Sequence, residues 1–136
     1  TSTATDNAGT VIKPTAVSGA GRWLATDASF VSVSQFGAVG GGIVDDTSAF
    51  TAAVSYMNSV YVGLDGFFRD PPKKGILHVP PTPNGEYVIK EPLVSTGNYG
   101  IIIDGVIRYA GVAGTVGAPI TVWTIGRLVD FDFIAD

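Results

Sequence analysis

The sequence predicts a mainly β fold with one α-helix and an extended N-terminal arm, and three observations carry that expectation. From Gly75 onward the chain breaks into short Ile- and Val-rich runs separated by Gly, Pro and Asn, with no helical stretch between them. Only one stretch, after Asp45-Asp46-Thr47, has apolar residues at helical spacing. The first 29 residues are rich in Thr, Ser, Ala and Gly, a composition that buries too little apolar area to fold alone.

Residues 1–29 therefore read as an arm with one short strand at Val11-Ile12 before Pro14 and a lone aromatic in Gly21-Arg22-Trp23. Phe30, Ser32 and Ser34 alternate with Val31 and Val33, which predicts a strand from Phe30 to Phe36 ending at Gly37. After Gly40-Gly41-Gly42 the spacing of Ala49, Phe50, Ala53, Val54 and Met57 predicts a helix over about residues 46–58. Asp46 is the expected N-cap, accepting a bond from a first-turn amide, with Asp45 favouring the positive end of the helix dipole and Thr47 following. Residues 62–74 hold Gly63, Gly66, Pro71 and Pro72 and read as a surface loop. The runs that follow are Ile76–Val79, Tyr87–Ile89, Leu93-Val94, Ile101–Ile103, Val106-Ile107, Ile120–Trp123 and Leu128–Ile134. Comparable runs recur at roughly two dozen residues, within the ~20–50 range of solenoids, though meanders and sandwiches remain open on spacing alone.

At 136 residues the chain supports one modest core. It is 46% hydrophobic and 15% charged, with mean hydropathy +0.34, so part of its surface is expected to be covered by other subunits. No apolar run approaches the ~18 residues of a spanning helix, so no membrane insertion is expected. The start Thr1-Ser2-Thr3-Ala4 has no Met and no signal-peptide pattern, which leads to the expectation of a piece of a longer protein. A net charge of −4 disfavours nucleic acid and anionic membranes as partners. With no cysteine and a single histidine, His78, the sequence offers no thiolate chemistry and no multi-histidine metal site; no metal or cofactor is expected.

The stretch Val33-Ser34-Gln35-Phe36-Gly37-Ala38, the glycines 40–42, Asp45-Asp46-Thr47 and the Ala-rich residues 49–54 together resemble the opening signature of the pectate-lyase-like superfamily. Gly75-Ile76-Leu77-His78-Val79-Pro80-Pro81 followed by Gly85-Glu86-Tyr87-Val88-Ile89 is similar to a second landmark of that family, a strand, Pro, Gly-x-Tyr and strand. The resemblance spans roughly residues 30–107 and departs from the pattern at Gly41, which replaces a turn aspartate, in the long loop 58–74, and at the inserted Thr82-Pro83-Asn84. It implies the first rungs of a right-handed parallel β-helix over residues 30–136, with the helix as a cap on the open end. Leu77 and Val79 would point inward, Ile76 and His78 outward, and Gly85 would allow the tight corner before Tyr87.

Asp6–Pro14 followed by Gly21-Arg22-Trp23 resembles the segment that precedes this β-helix in phage tailspikes and capsule depolymerases. The resemblance implies a virion-proximal arm (1–29), a homotrimer, attachment to other phage tail or baseplate proteins, and recognition and degradation of a bacterial surface polysaccharide by the full-length protein, outside the cell. Catalytic carboxylates would lie further along the chain, so no catalytic residue is assigned here and the glycan-binding residues are unknown. The alternatives are a fragment of a secreted pectate-lyase-like enzyme and a non-enzymatic tail or baseplate spacer.

Several residues invite sharper readings. Asp45 and Asp46 as an acid–base pair is the weaker reading, since adjacent side chains seldom converge and capping accounts for both. Asp130 and Asp132 share one face of an expected strand, opposite Phe131 and Phe133, and suit a solvated or intersubunit face better than a saccharide groove. His78 is expected as an outward surface or subunit-contact residue. Tyr61, Phe67, Phe68 and Arg69 are expected to make contacts, with a neighbouring subunit favoured over a sugar.

Overall fold

The computed structural model describes residues 3–16, 18–25, 29–61, 75–83 and 85–125. Within them the fold is mainly β with one α-helix, as the sequence predicts. The strands are β1 (Val11–Ile12), β2 (Trp23–Leu24), β3 (Phe30–Ser32), β4 (Ile76–Val79), β5 (Tyr87–Ile89), β6 (Leu93–Ser95), β7 (Gly100–Ile103), β8 (Ile107–Tyr109) and β9 (Trp123–Ile125), and the helix is α1 (Thr47–Val60).

Among the described residues every strand–strand pairing after the arm is parallel, and the antiparallel contact there is an isolated bridge between Thr115 and Ala118. β3, β4 and β7 form one ladder, β5 and β8 a second, β6 and β9 a third. Each strand of the later trio lies beside the earlier strand of the same rank: Ile76 is opposite Gly100, Tyr87 opposite Ile107, and Leu93 opposite Trp123. A parallel bridge between Asp45 and Val88 extends the second ladder downward. Parallel neighbours cannot be joined by a tight hairpin, so the chain must travel through the other two ladders before it returns.

Alternation decides which side chains enter the core. Val31, Leu77 and Val79 are buried, while Ile76 and His78 on the same strand are only half-buried, as the period-two reading of β4 expects. Tyr87, Ile89 and Leu93 continue the interior. The helix lays Ala49, Phe50, Ala53, Val54 and Met57 onto it, with the Phe50 ring edge-on to Tyr87 at 5.3 Å and to Trp123 at 6.3 Å. These are the residues whose spacing predicts the helix.

Two glycines are required by geometry. Gly40 has φ +61, and a Cβ there would meet the Tyr87 ring and Thr82. Gly85, at the corner before β5, has φ +138 and lies against the backbone of Gly41.

Two expectations are corrected. The strand expected from Phe30 to Phe36 stops at Ser32, and Val33–Phe36 form a 3-10 turn. Ser32 and Gln35 make a reciprocal capping box, Ser34 N–H donating to Ser32 Oγ (3.2 Å) and Ser32 N–H to Gln35 Oε1 (2.8 Å), which turns the backbone away from the ladder. Val33 and Phe36, three apart, then share the buried side. The arm carries two strands where one was expected: β1 and β2 pair antiparallel, Val11 with Leu24 and Ile12 with Trp23. Asn7 Oδ1 accepts from the amides of Gly9, Thr10 and Val11, so a single side chain shapes the turn into β1. Gly9 lies directly against the Phe36 ring, which holds the arm on the 3-10 turn.

Candidate functional site

Asp45, Asp46 and Thr47 sit where the glycine turn, the start of α1 and β5 meet, and the two carboxylates part company there. Asp46 occupies the N-cap position, its backbone carbonyl accepting from Phe50 N–H (3.1 Å), but its side chain makes no bond to the first turn. It is 2% exposed and accepts instead from Val39 N–H (2.7 Å), Gly40 N–H (3.2 Å) and Val88 N–H (3.4 Å). The expected capping bond from Asp46 is thus corrected: the glycine turn presents the amides of Val39 and buried Gly40 with no strand partner, and a carboxylate that satisfies them cannot also reach back to the helix. Asp45 serves the helix start, accepting from Thr47 N–H (3.0 Å) and from the Thr47 hydroxyl. Those two bonds, then the Lys90 ammonium 3.2 Å away, hold the Asp45 carboxyl below its ordinary value of 3.8. Thr47 Oγ1 in turn accepts from Lys90 N–H, fastening the helix start to the end of β5.

Beside this junction lies an open groove of about 650 Å³ lined by Asp45, Thr47, Ser48, Thr51, Ala52, Lys90 and Glu91. Hydroxyls, an ion pair and a further carboxylate make it a hydrogen-bonding surface. Asp45 and Asp46 face different partners, so they form no acid–base pair. Among the described residues no three His, Asp or Glu side chains gather as a metal site.

A second cluster lies on the outer face of the first ladder. His78 Nε2 is 2.7 Å from Asp104 Oδ2, and the Phe30 ring packs on the imidazole with centroids 5.4 Å apart. The outward position expected of His78 holds, but the sequence reading supplied it no partner. Asp104 becomes visible only once His78 is set opposite Ile102, two residues before it. On the second ladder Arg108 pairs with Glu86 and donates to the Gly42 carbonyl (2.9 Å), tying three levels of chain together.

At the far end of α1, Asn58 is a residue that sequence reasoning missed. Its Nδ2 donates to Val94 O (2.9 Å), and its Oδ1 accepts from Thr96 N–H (2.9 Å), Gly97 N–H (3.2 Å) and the Tyr99 hydroxyl (3.0 Å). Burial pushes the Tyr99 phenol up. Tyr61, expected among exposed contact residues, is 5% exposed, packed against Gly75 and 6.3 Å from the Tyr99 ring, because the chain leaves α1 directly over β4 and the β6–β7 turn. Phe67, Phe68, Arg69, Asp130, Phe131, Asp132 and Phe133 lie outside the described residues.

No described helix is long and apolar enough to cross a membrane. Compared with family models, with curated proteins and with solved structures, the chain finds no match.

Proposed function

We propose that this chain is the N-terminal part of a trimeric phage tailspike, in which residues 30 onward start a right-handed parallel β-helix and α1 caps its first coil. The observation that carries the reading is the order of the ladders: β4, β5 and β6 are overlaid by β7, β8 and β9 in the same sequence and in parallel. A chain that visits three ladders in turn and returns one level up is a coil. The apolar face of α1 covers the inward side chains at the near end, the role a cap must fill.

On this reading the segment links the host-facing part of the protein to the virion through the arm and starts its folding. The exposed Trp23, Leu24 and Ile12 of the β1–β2 pair suit contact with other tail or baseplate proteins or with neighbouring subunits. The full-length protein binds a bacterial surface polysaccharide and cleaves it by hydrolysis or elimination, with its catalytic carboxylates beyond this segment. The test is the mass of the full-length protein by sedimentation or mass photometry together with a reducing-end assay on capsule or lipopolysaccharide. A trimer that releases sugar ends is expected, while this polypeptide alone releases none. A stable, soluble full-length monomer would refute the assignment.

A further inference from the structure

Each ladder has an outer face, and among the described residues the three faces differ in chemistry. The second carries charge: Arg108 pairs with Glu86, and Lys90, just past β5, with Asp45. The third sets Val94 beside Thr124. The first is the broadest, three strands across, and the most apolar. Phe30 is 44% and Ile102 40% exposed on its outer strands, with half-buried Ile76 on the strand between them. The polar groups at its margin, His78 and Asp104, already satisfy each other.

Gly100 is a second, independent mark on the same face. It stands in β7 opposite Ile76, so a side chain there would point outward. Its φ lies outside the left-handed region, and a Cβ would make only ordinary contacts, the nearest with Ile76 Cγ1 at 3.7 Å. The fold of the single chain therefore does not call for glycine at this position. A strand position left bare in this way lets another backbone approach closely. We infer that this face is where copies of the chain meet in the trimer proposed above, with Gly100 opening the close approach and Phe30, Ile76 and Ile102 filling the contact. The inference rests on that reading of the chain as a coil in a trimer.

Area selects the occupant. Three strands about 4.8 Å apart and about 13 Å long make a patch of roughly 190 Å². A stable interface takes about 800 Å² from each partner. A separate protein seated on this patch alone would be held weakly, whereas a second copy running alongside repeats the contact at every later level of a longer coil.

Single cysteines in the full-length protein can read the face, since these 136 residues contain none. I102C, R108C and T124C each place a thiol on the outer side of a different ladder, in its last described strand. With a short bismaleimide, I102C is expected to give linked pairs of chains in several-fold excess over the other two and over the unsubstituted protein. Equal or greater yield from R108C or T124C, or no linked pair from any of the three in a protein that sediments as a trimer, would overturn the inference and leave the trimer standing. A full-length monomer would sink both. G100V reads the close approach separately: the concentration at which the trimer dissociates should rise at least tenfold with the far-UV circular dichroism unchanged. Dissociation at the concentration of the unsubstituted protein, or a lost far-UV spectrum showing that the glycine serves the fold, would overturn the role given to Gly100.

Discussion

Asp46→Ala isolates what one buried carboxylate does for this fold. Its two oxygens accept from Val39, Gly40 and Val88, three amides that belong to the glycine turn and to β5. Hydrogen bonds to a charged acceptor contribute about 1.5–3 kcal/mol each, and a buried donor left without a partner costs about 1–3 kcal/mol. Val39 is exposed and its amide can turn to water, and the 3.4 Å contact to Val88 is weak, so the loss rests chiefly on buried Gly40 and on the charge-assisted bond to Val39. The sum is about 3–4 kcal/mol, a large part of the ~5–15 kcal/mol by which a domain is stable. Asp46→Asn keeps one acceptor oxygen and turns an NH2 toward an amide, so about half that loss is expected. Urea unfolding followed by the fluorescence of Trp123, which packs on Phe50, measures both variants. A cost for Asp46→Ala below about 0.5 kcal/mol, the range of an ordinary surface substitution, would refute the assignment of Asp46 as the clip between turn and strand.

Three further outcomes follow from the same contacts. Phe50→Ala empties a fully buried site between Tyr87 and Trp123 and is expected to cost about 3–5 kcal/mol in the same urea titration. Asp45 has its carboxyl held below 3.8 in the folded chain, so as the pH falls the unfolded chain takes up the proton first. Its contribution is present above about pH 3.8 and is lost as the pH drops through the depressed folded value; Asp45→Asn should therefore lessen the fall in melting temperature between pH 5 and pH 2. Asp104→Ala removes a half-exposed partner of His78 and is expected to shift stability by less than about 1 kcal/mol, which a thermal melt at pH 6 would show.

What could be read from the sequence was whatever depends on local period. Ala49, Phe50, Ala53, Val54 and Met57 announce the buried face of α1, and Leu77 and Val79 the inward side of β4, because a helix or strand repeats its burial every few residues. The early stop of β3 also had a local signal, Ser32 followed by Gln35 three residues on, but the alternation of Val31 and Val33 pointed the other way. The division of labour between Asp45 and Asp46 had no such signal. Both suit a helix start, and only the return of the chain at Val88 decides which one turns inward. Asn58 and Asp104 were hidden for the same reason: their partners lie 36 to 41 and 26 residues away, and only the register of the ladders brings them together.

Asp46 and Asn58 together raise the question of whether α1 is fastened at two independent points or docks as one unit. Asp46 binds the turn and β5 at one end, Asn58 the end of β6 and the turn after it at the other. They are twelve positions apart, about 18 Å along a helix, and share no hydrogen-bond partner. Asn58→Ala removes the acceptor of two amides and the Tyr99 hydroxyl and is expected to cost about 2 kcal/mol. The apolar face between them, from Ala49 to Met57, stays buried when either end is released, so each single variant should keep the helix in place. The double variant should then lose the sum of the two effects to within about 0.5 kcal/mol. A departure above about 1 kcal/mol would mean that releasing one end already frees the other, and that the helix is held by its polar ends more than by Phe50 and its neighbours.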